Sequence, residues 1–248
     1  MPLSVFSLGL LFLFGLALGS FGSVVVSRVP KNKSIGGRSQ CPHCKQTIAA
    51  RDLIPVLSFL ILEGRCRHCR KNISLCYPLL ELSSAGLIIL PAILEGYIDP
   101  FTVSLGTALW LFLLLAVMDS ESQRIPDVVS MPLIVVAFLA AYLRGEISWL
   151  APLMGGGFFL LQWAVSRGRI LGSGDIFIGI AMGCILGTWP ITLLAVGIAY
   201  VVGASIACYF LASGKYTRGM RIAFVPYLFV GTVIALVFGE RVLKLLSI

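Results

Sequence analysis

The chain has 248 residues, 58% of them hydrophobic and 12% charged, with a net charge of +8. A soluble domain carries about 25% charged residues, so these proportions exclude an ordinary soluble enzyme and point to a polytopic membrane protein. The basic balance does not imply nucleic acid, and no nucleic-acid partner is expected: Lys and Arg crowd the cytoplasmic loops of a membrane chain.

Residues 3–26 form the first apolar stretch. No Lys or Arg precedes it, so the basic start of a signal peptide is missing. It is long enough to cross about 30 Å of hydrocarbon and is expected to be a retained span. Residues 27–77 are the one long polar segment and hold ten of the 19 Lys and Arg. Further spans are predicted near 78–95, 101–118, 127–143, 148–165, 175–189, 191–211 and 222–239. The fold class is therefore all-α, with about eight transmembrane helices and a small cytoplasmic loop domain. The sixth span is short and rich in glycine. The chain shows no internal repeat.

The basic residues orient the spans. With 27–77 in the cytoplasm, only Arg144, Arg241 and Lys244 of the 19 fall on the far side. The cytoplasmic loops then hold the first ten, followed by Arg124, Arg167, Arg169, Lys215, Arg218 and Arg221. Both termini are expected outside.

The polar segment reads Cys41-Pro-His-Cys44 and, 21 residues on, Cys66-Arg-His-Cys69. Two C-x-x-C pairs so spaced are the pattern of a zinc ribbon, in which four thiolates complete a tetrahedron. Lys45, Arg65, Arg67 and Arg70 would offset the charge of such a site. Two disulfides or free thiols are the alternatives, and disulfides suit a reducing cytoplasm poorly. The only two histidines, His43 and His68, are expected to be bystanders. A closed four-Cys site is structural, serving to fold a loop with too few apolar residues to fold alone. Cys76, Cys184 and Cys208 read as small packing residues.

A charge inside a bilayer costs several kcal/mol and is usually functional. Asp52, Glu63, Glu95, Asp99, Glu146 and Glu240 read as ordinary solvated positions. Asp119 closes the third span and Asp175 opens the sixth, both at the cytoplasmic face. Two carboxylates that meet there cannot both ionise easily and share a proton. Such a pair can activate a water and protonate a peptide carbonyl without a metal. The plain alternative is an acid at each helix end. It suits Asp175, at the positive N-terminal end, better than Asp119, at the C-terminal end. The residues alone leave both readings open. Asp127 reads as a first-turn helix residue and Glu121 as a solvated neighbour. Glu81, one turn into the second span, reads equally as a residue snorkelling to the interface or as a polar contact to substrate or cofactor. Gly172 and Gly174 beside Asp175 suggest unusual dihedrals or a close backbone approach.

In order, these motifs resemble those of the bacterial prepilin peptidases, or type IV leader peptidases, membrane aspartyl proteases with a G-x-G-D motif. The similarity covers nearly the whole chain. It includes Gly19-Ser20-Phe21, Arg28-Val29-Pro30, the paired C-x-x-C loop with Leu53-Ile54-Pro55-Val56-Leu57-Ser58, and Tyr77-Pro78-Leu79-Leu80-Glu81. It continues with Asp119, Ile125-Pro126-Asp127 and Gly172-Ser173-Gly174-Asp175. The resemblance implies a catalytic pair at Asp119 and Asp175. It implies an enzyme that cleaves the leader of type IV prepilins or pseudopilins after a Gly at the cytoplasmic face of the inner membrane. It also implies N-methylation of the new N-terminal residue, usually Phe, with S-adenosylmethionine, for which the first loop and Glu81 are the positions to suspect. The expected organisation is residues 1–96 with the four-Cys loop and 97–248 as the peptidase membrane domain. The chain departs from the family at Phe177, where Lys is usual, at Gly22-Ser23, and at Ala223-Phe224-Val225-Pro226. A membrane transporter and a non-enzymatic zinc-binding assembly factor are the competing functions. A transporter would be expected to place its acids near the bilayer midplane and to show a repeat.

Overall fold

The protein is described from a computed structural model, covering residues 3–145, 148–169, 171–214 and 222–245. Glu146, Lys215, Arg218 and Arg221, assigned to loops above, lie outside the described residues. Among the described residues the regular structure is helical, with two isolated β-bridges. The helices are α1 (Val5–Arg28), α2 (Leu57–Ile61), α3 (Cys76–Glu95), α4 (Pro100–Ser122), α5 (Asp127–Leu143), α6 (Leu150–Ser166), α7 (Gly174–Leu186), α8 (Trp189–Ala212) and α9 (Val225–Leu245), with short 3-10 turns at Val29–Lys31 and Ala50–Leu53.

The eight long helices fall on the eight predicted spans. By length and composition α1, α3, α4 and α8 can each cross a membrane. α5, α6 and α7 are apolar but shorter. At 13 residues, α7 is only about 20 Å long. It stops before residue 189, the predicted end, because Gly187 adopts φ +77, the left-handed conformation that closes helices. Pro190 then sits in the first turn of α8. Arg144 finishes the job from α5: its Nη2 donates to the Ile185 carbonyl at 2.9 Å, placing a cation at the negative end of α7.

The chain divides into two compact units, Met1–Asp99 and Pro100–Ile248. In the first, α1 packs along α3. Glycines four apart make this possible. A Cβ on Gly15 would lie 2.6 Å from the Cα of Ala85, and one on Gly19 2.5 Å from the Cα of Glu81. Small residues at this spacing let backbones meet, which is how apolar helices associate when no hydrophobic force separates them from lipid.

In the second unit α4 is the most buried span. Leu109, Phe112, Leu114, Leu115 and Met118 of α4 are fully buried, as are Ile178, Met182 and Ile185 of α7. α5, α6, α8 and α9 pack on these two. α6 and α7 meet along a seam of small residues. A Cβ on Gly155 would strike the carbonyl of Gly179, one on Gly179 the carbonyl of Gly155, and one on Gly183 that of Ala151. That seam fixes the helix that carries Asp175.

Candidate active site and metal centre

Asp119 lies in the last turn of α4 and is 6% exposed. Its Oδ2 accepts a hydrogen bond from the backbone N–H of Val225, the first residue of α9, at 3.0 Å. The neighbouring backbone N–H of Phe224 also faces this carboxylate. An acid at a helix C-terminus is disfavoured by the helix dipole, and these amides offset it. Asp175, the second residue of α7, is 7% exposed. Its Oδ2 accepts from the N–H of Gly172 at 3.1 Å, and its own N–H donates to the Gly172 carbonyl at 3.3 Å. α4 packs on α7, and Ile125, just after α4, lies against Gly174 beside Asp175. Both predicted acids are thus buried, on helices that pack on one another.

Of the two uses expected for the glycines of this turn, unusual dihedrals and close approach, the structure shows the second. Neither Gly172 nor Gly174 has a positive φ. Gly172 is the N–H donor to Asp175. Gly174 is required by closeness: a Cβ there would lie 2.9 Å from Cδ1 and 3.2 Å from Cβ of Ile125. The loop after α4 is thereby pressed on the turn that starts α7. An aromatic wall stands beside the pair. Tyr200 of α8 packs on Phe224 with ring centroids 5.0 Å apart and donates from its hydroxyl to Gln162 Oε1 at 2.7 Å. Sequence reasoning did not single out Ile125, Gln162, Tyr200 or Val225 as site residues. Gln162, an amide inside an apolar run, was the available signal.

The four cysteines form the second centre. The sulfurs of Cys41, Cys44, Cys66 and Cys69 all lie within 4.8 Å of one another, with Cys41 and Cys69 at 3.9 Å. Each pair sits on the same tight knuckle, 25 residues apart. Cys41 N–H donates to the Gln46 carbonyl and Lys45 N–H to that of Cys41; Cys66 N–H donates to Lys71 and Arg70 N–H to Cys66. Lys45 and Arg70 occupy equivalent left-handed positions, φ +61 and +59. A short-range repeat is therefore present where none was expected. The N–H groups of Cys44 and His43 face the Cys41 sulfur and, against burial, pull its thiol down to about 6. Those of Cys69 and His68 lower Cys66 in the same way. Four sulfurs converging in this way form a set suited to a metal ion. Both histidine side chains are exposed and stand outside the cluster.

Glu81 does not snorkel. It is 8% exposed, and its Oε2 accepts from the N–H of Val56 at 2.7 Å. It borders a cavity of about 380 Å³ within the first unit, whose wall includes Ser20, Ser27, Phe59, His68 and Tyr77. Asp52 is not simply solvated. Arg67 holds it in a two-pronged ion pair at 2.8 and 2.6 Å and keeps its carboxyl below the usual carboxylate range. Glu121 and Asp127 are exposed, the latter in the first turn of α5. Of the remaining cysteines only Cys184 is a buried packing residue; Cys76 and Cys208 are exposed.

Residues 13–94 match the bacterial peptidase A24 N-terminal domain, and residues 106–208 match the type IV leader peptidase family. A prepilin leader peptidase/N-methyltransferase of Bacillus subtilis (strain 168) is 32% identical over 96% of this chain and 96% of its own length. The chain belongs to the type IV leader peptidase family. Enzymes of the same name from Aeromonas hydrophila and Pseudomonas aeruginosa are each 30% identical, covering 95% and 94% of this chain and 92% and 90% of their own. No solved structure matches the chain. For a membrane member of a leader peptidase family, the buried carboxylate pair is the feature that invites a chemical account.

Proposed function

We propose that this chain is a prepilin leader peptidase in which Asp119 and Asp175 are the catalytic pair. It would act on type IV prepilins or pseudopilins at the cytoplasmic face of the inner membrane and cut after a Gly. The observation that carries the reading is the pair itself: two buried acids on packed helices, each held by a backbone N–H. In the chemistry open to such a pair, the ionised carboxylate takes a proton from a water as that water attacks the scissile carbonyl carbon. The protonated partner gives its proton to the carbonyl oxygen. Collapse of the tetrahedral species breaks the C–N bond: the leaving amine takes up the proton held by the first acid, and one hydroxyl of the diol returns its proton to the partner as the new carboxyl group forms. Pre-set amides keep each carboxylate in place without reorganisation.

The second half of the relatives' name supports a second reaction, N-methylation of the new terminus, with S-adenosylmethionine as donor. The bound donor would supply an electrophilic methyl group. The cavity in the first unit has room for a ligand of that class, and a buried carboxylate suits a sulfonium cation. Glu81 and Ser20 are the residues that would hold it. For the four-thiol centre we propose structural zinc. A tetrahedral ion with Zn–S bonds of about 2.3 Å requires sulfurs about 3.8 Å apart, against 3.9 Å for Cys41 and Cys69.

The test is mass spectrometry of a prepilin co-expressed with D119N or D175N. Uncut prepilin with normal enzyme levels is expected from both. Full cleavage by both variants would remove the pair from the mechanism and reopen a transporter or assembly role.

A further inference from the structure

The polar loop carries an apolar feature that peptidase chemistry does not use. Helix α2 lies between the two cysteine knuckles and presents two faces. Ser58 and Phe59, with Leu62 just beyond its end, line the cavity. On the opposite face Leu57, Leu60 and Ile61 are 56%, 63% and 73% exposed, and Leu53 and Ile54 before the helix are 40% and 46% exposed. Leu53 also borders the cavity, so four large aliphatic side chains, Ile54, Leu57, Leu60 and Ile61, stand open away from it on the most polar segment of the chain. Left in water, such surface costs on the order of 25 cal/mol per Å².

The depth of this face follows from one hydrogen bond. Val56, at the head of α2, donates its N–H to Glu81 at 2.7 Å. Glu81 is five residues into α3, about 7.5 Å along the axis of a helix able to cross a membrane. The start of α2 is thus pinned below the end of a span, at the level where interfacial helices lie. Val56 has φ +60, a strained conformation for a β-branched residue, and the bond to Glu81 helps to hold it there. Exposed Arg51 and Arg65 bracket the patch, with charge of the sign that anionic headgroups attract.

We propose that α2 is an interfacial wedge that lays Leu57, Leu60 and Ile61 among the acyl chains of an anionic bilayer, with Arg51 and Arg65 at the lipid phosphates. The membrane then presses on one face of α2 while the other walls the cavity. Bilayer contact and the shape of that cavity become linked.

The test uses the full zinc-loaded chain, with Cys76, Cys184 and Cys208 replaced by Ser, in vesicles of phosphatidylcholine and phosphatidylglycerol. A nitroxide is attached in turn to L57C, L60C, I61C and E63C, and retention of zinc checks that each variant is folded. At 57, 60 and 61 collisions with oxygen should exceed those with a water-soluble nickel chelate by about threefold or more, with the reverse at 63. Dominant nickel collisions at the first three positions would overturn the proposal, since the face would be in water. Low collision rates with both reagents would also overturn it, since another part of the chain, a second copy or a bound protein would cover the face. Omitting phosphatidylglycerol should lower the oxygen-to-nickel ratio; an unchanged ratio would refute the part assigned to Arg51 and Arg65.

Discussion

The backbone N–H of Val225 donates to the carboxylate of Asp119 at 3.0 Å, across 106 positions of sequence. The donor is the first residue of α9, a position at which proline is tolerated because that N–H has no partner in its own helix. V225P therefore removes the donor with little cost to the helix. A hydrogen bond to a charged group is worth about 1.5–3 kcal/mol, so kcat for prepilin cleavage should fall about 10- to 150-fold, with KM little changed. Steady-state kinetics of the reconstituted enzyme checks the split, and an unaltered kcat would leave this amide without a catalytic part.

Loss of either acid should be more severe. Positioned acid–base groups contribute about 10²–10⁴-fold, so D119N and D175N should each lower cleavage by at least that factor. The double variant should be hardly worse than either single one, because the two act as a unit. Additive losses would contradict a shared mechanism.

Gly174 offers a test of packing. Its missing Cβ leaves room for Ile125, and overfilling a close-packed site costs about 1–3 kcal/mol. G174A should lower cleavage about tenfold or more, and adding I125A should recover part of the loss. Failure of the second change to help would mean that Gly174 serves something other than this contact.

Glu81 separates anchoring from charge. E81A should abolish methylation while leaving most cleavage. E81Q keeps an acceptor for the Val56 N–H but removes the charge. If Gln restores methylation, Glu81 acts by holding Val56; continued loss would assign the effect to the carboxylate. Mass spectrometry of the processed pilin terminus reads both activities at once.

Metal analysis of the purified chain should give about one zinc. Replacing Cys41, Cys44, Cys66 and Cys69 by Ser should remove it and expose the 38–73 segment to proteases, because the binding free energy of a structural zinc is also folding free energy. A metal-free native protein with an intact loop would refute the assignment.

The helices were legible because runs of apolar residues near 20 long leave a chain few other choices, and the knuckles because two C-x-x-C pairs have few other uses. Asp119 and Asp175 stood out as acids at span ends, but the residues alone left a plain helix-end role open, and it was the family resemblance that paired them. Their partners could not be named. Val225, Phe224 and Gly172 contribute backbone N–H groups, which every residue but proline owns and which no side-chain pattern marks. The same holds for Glu81, whose partner is the N–H of Val56. Gly172 and Gly174 were noticed without a choice between two freedoms: glycine signals both unusual dihedrals and absent bulk, and only the neighbour at Ile125 shows that the second applies at Gly174. The end of α7 was misjudged because hydropathy continues through Gly187 while the backbone does not.

The glycine seam between α6 and α7 has a mechanical consequence. Where carbonyls and Cα atoms touch directly, there are no rotamers to re-sort and no gap to take up, so the two helices yield as one body or not at all. For a peptide bound beside Asp175 as proposed, clearance would have to come from elements other than this seam.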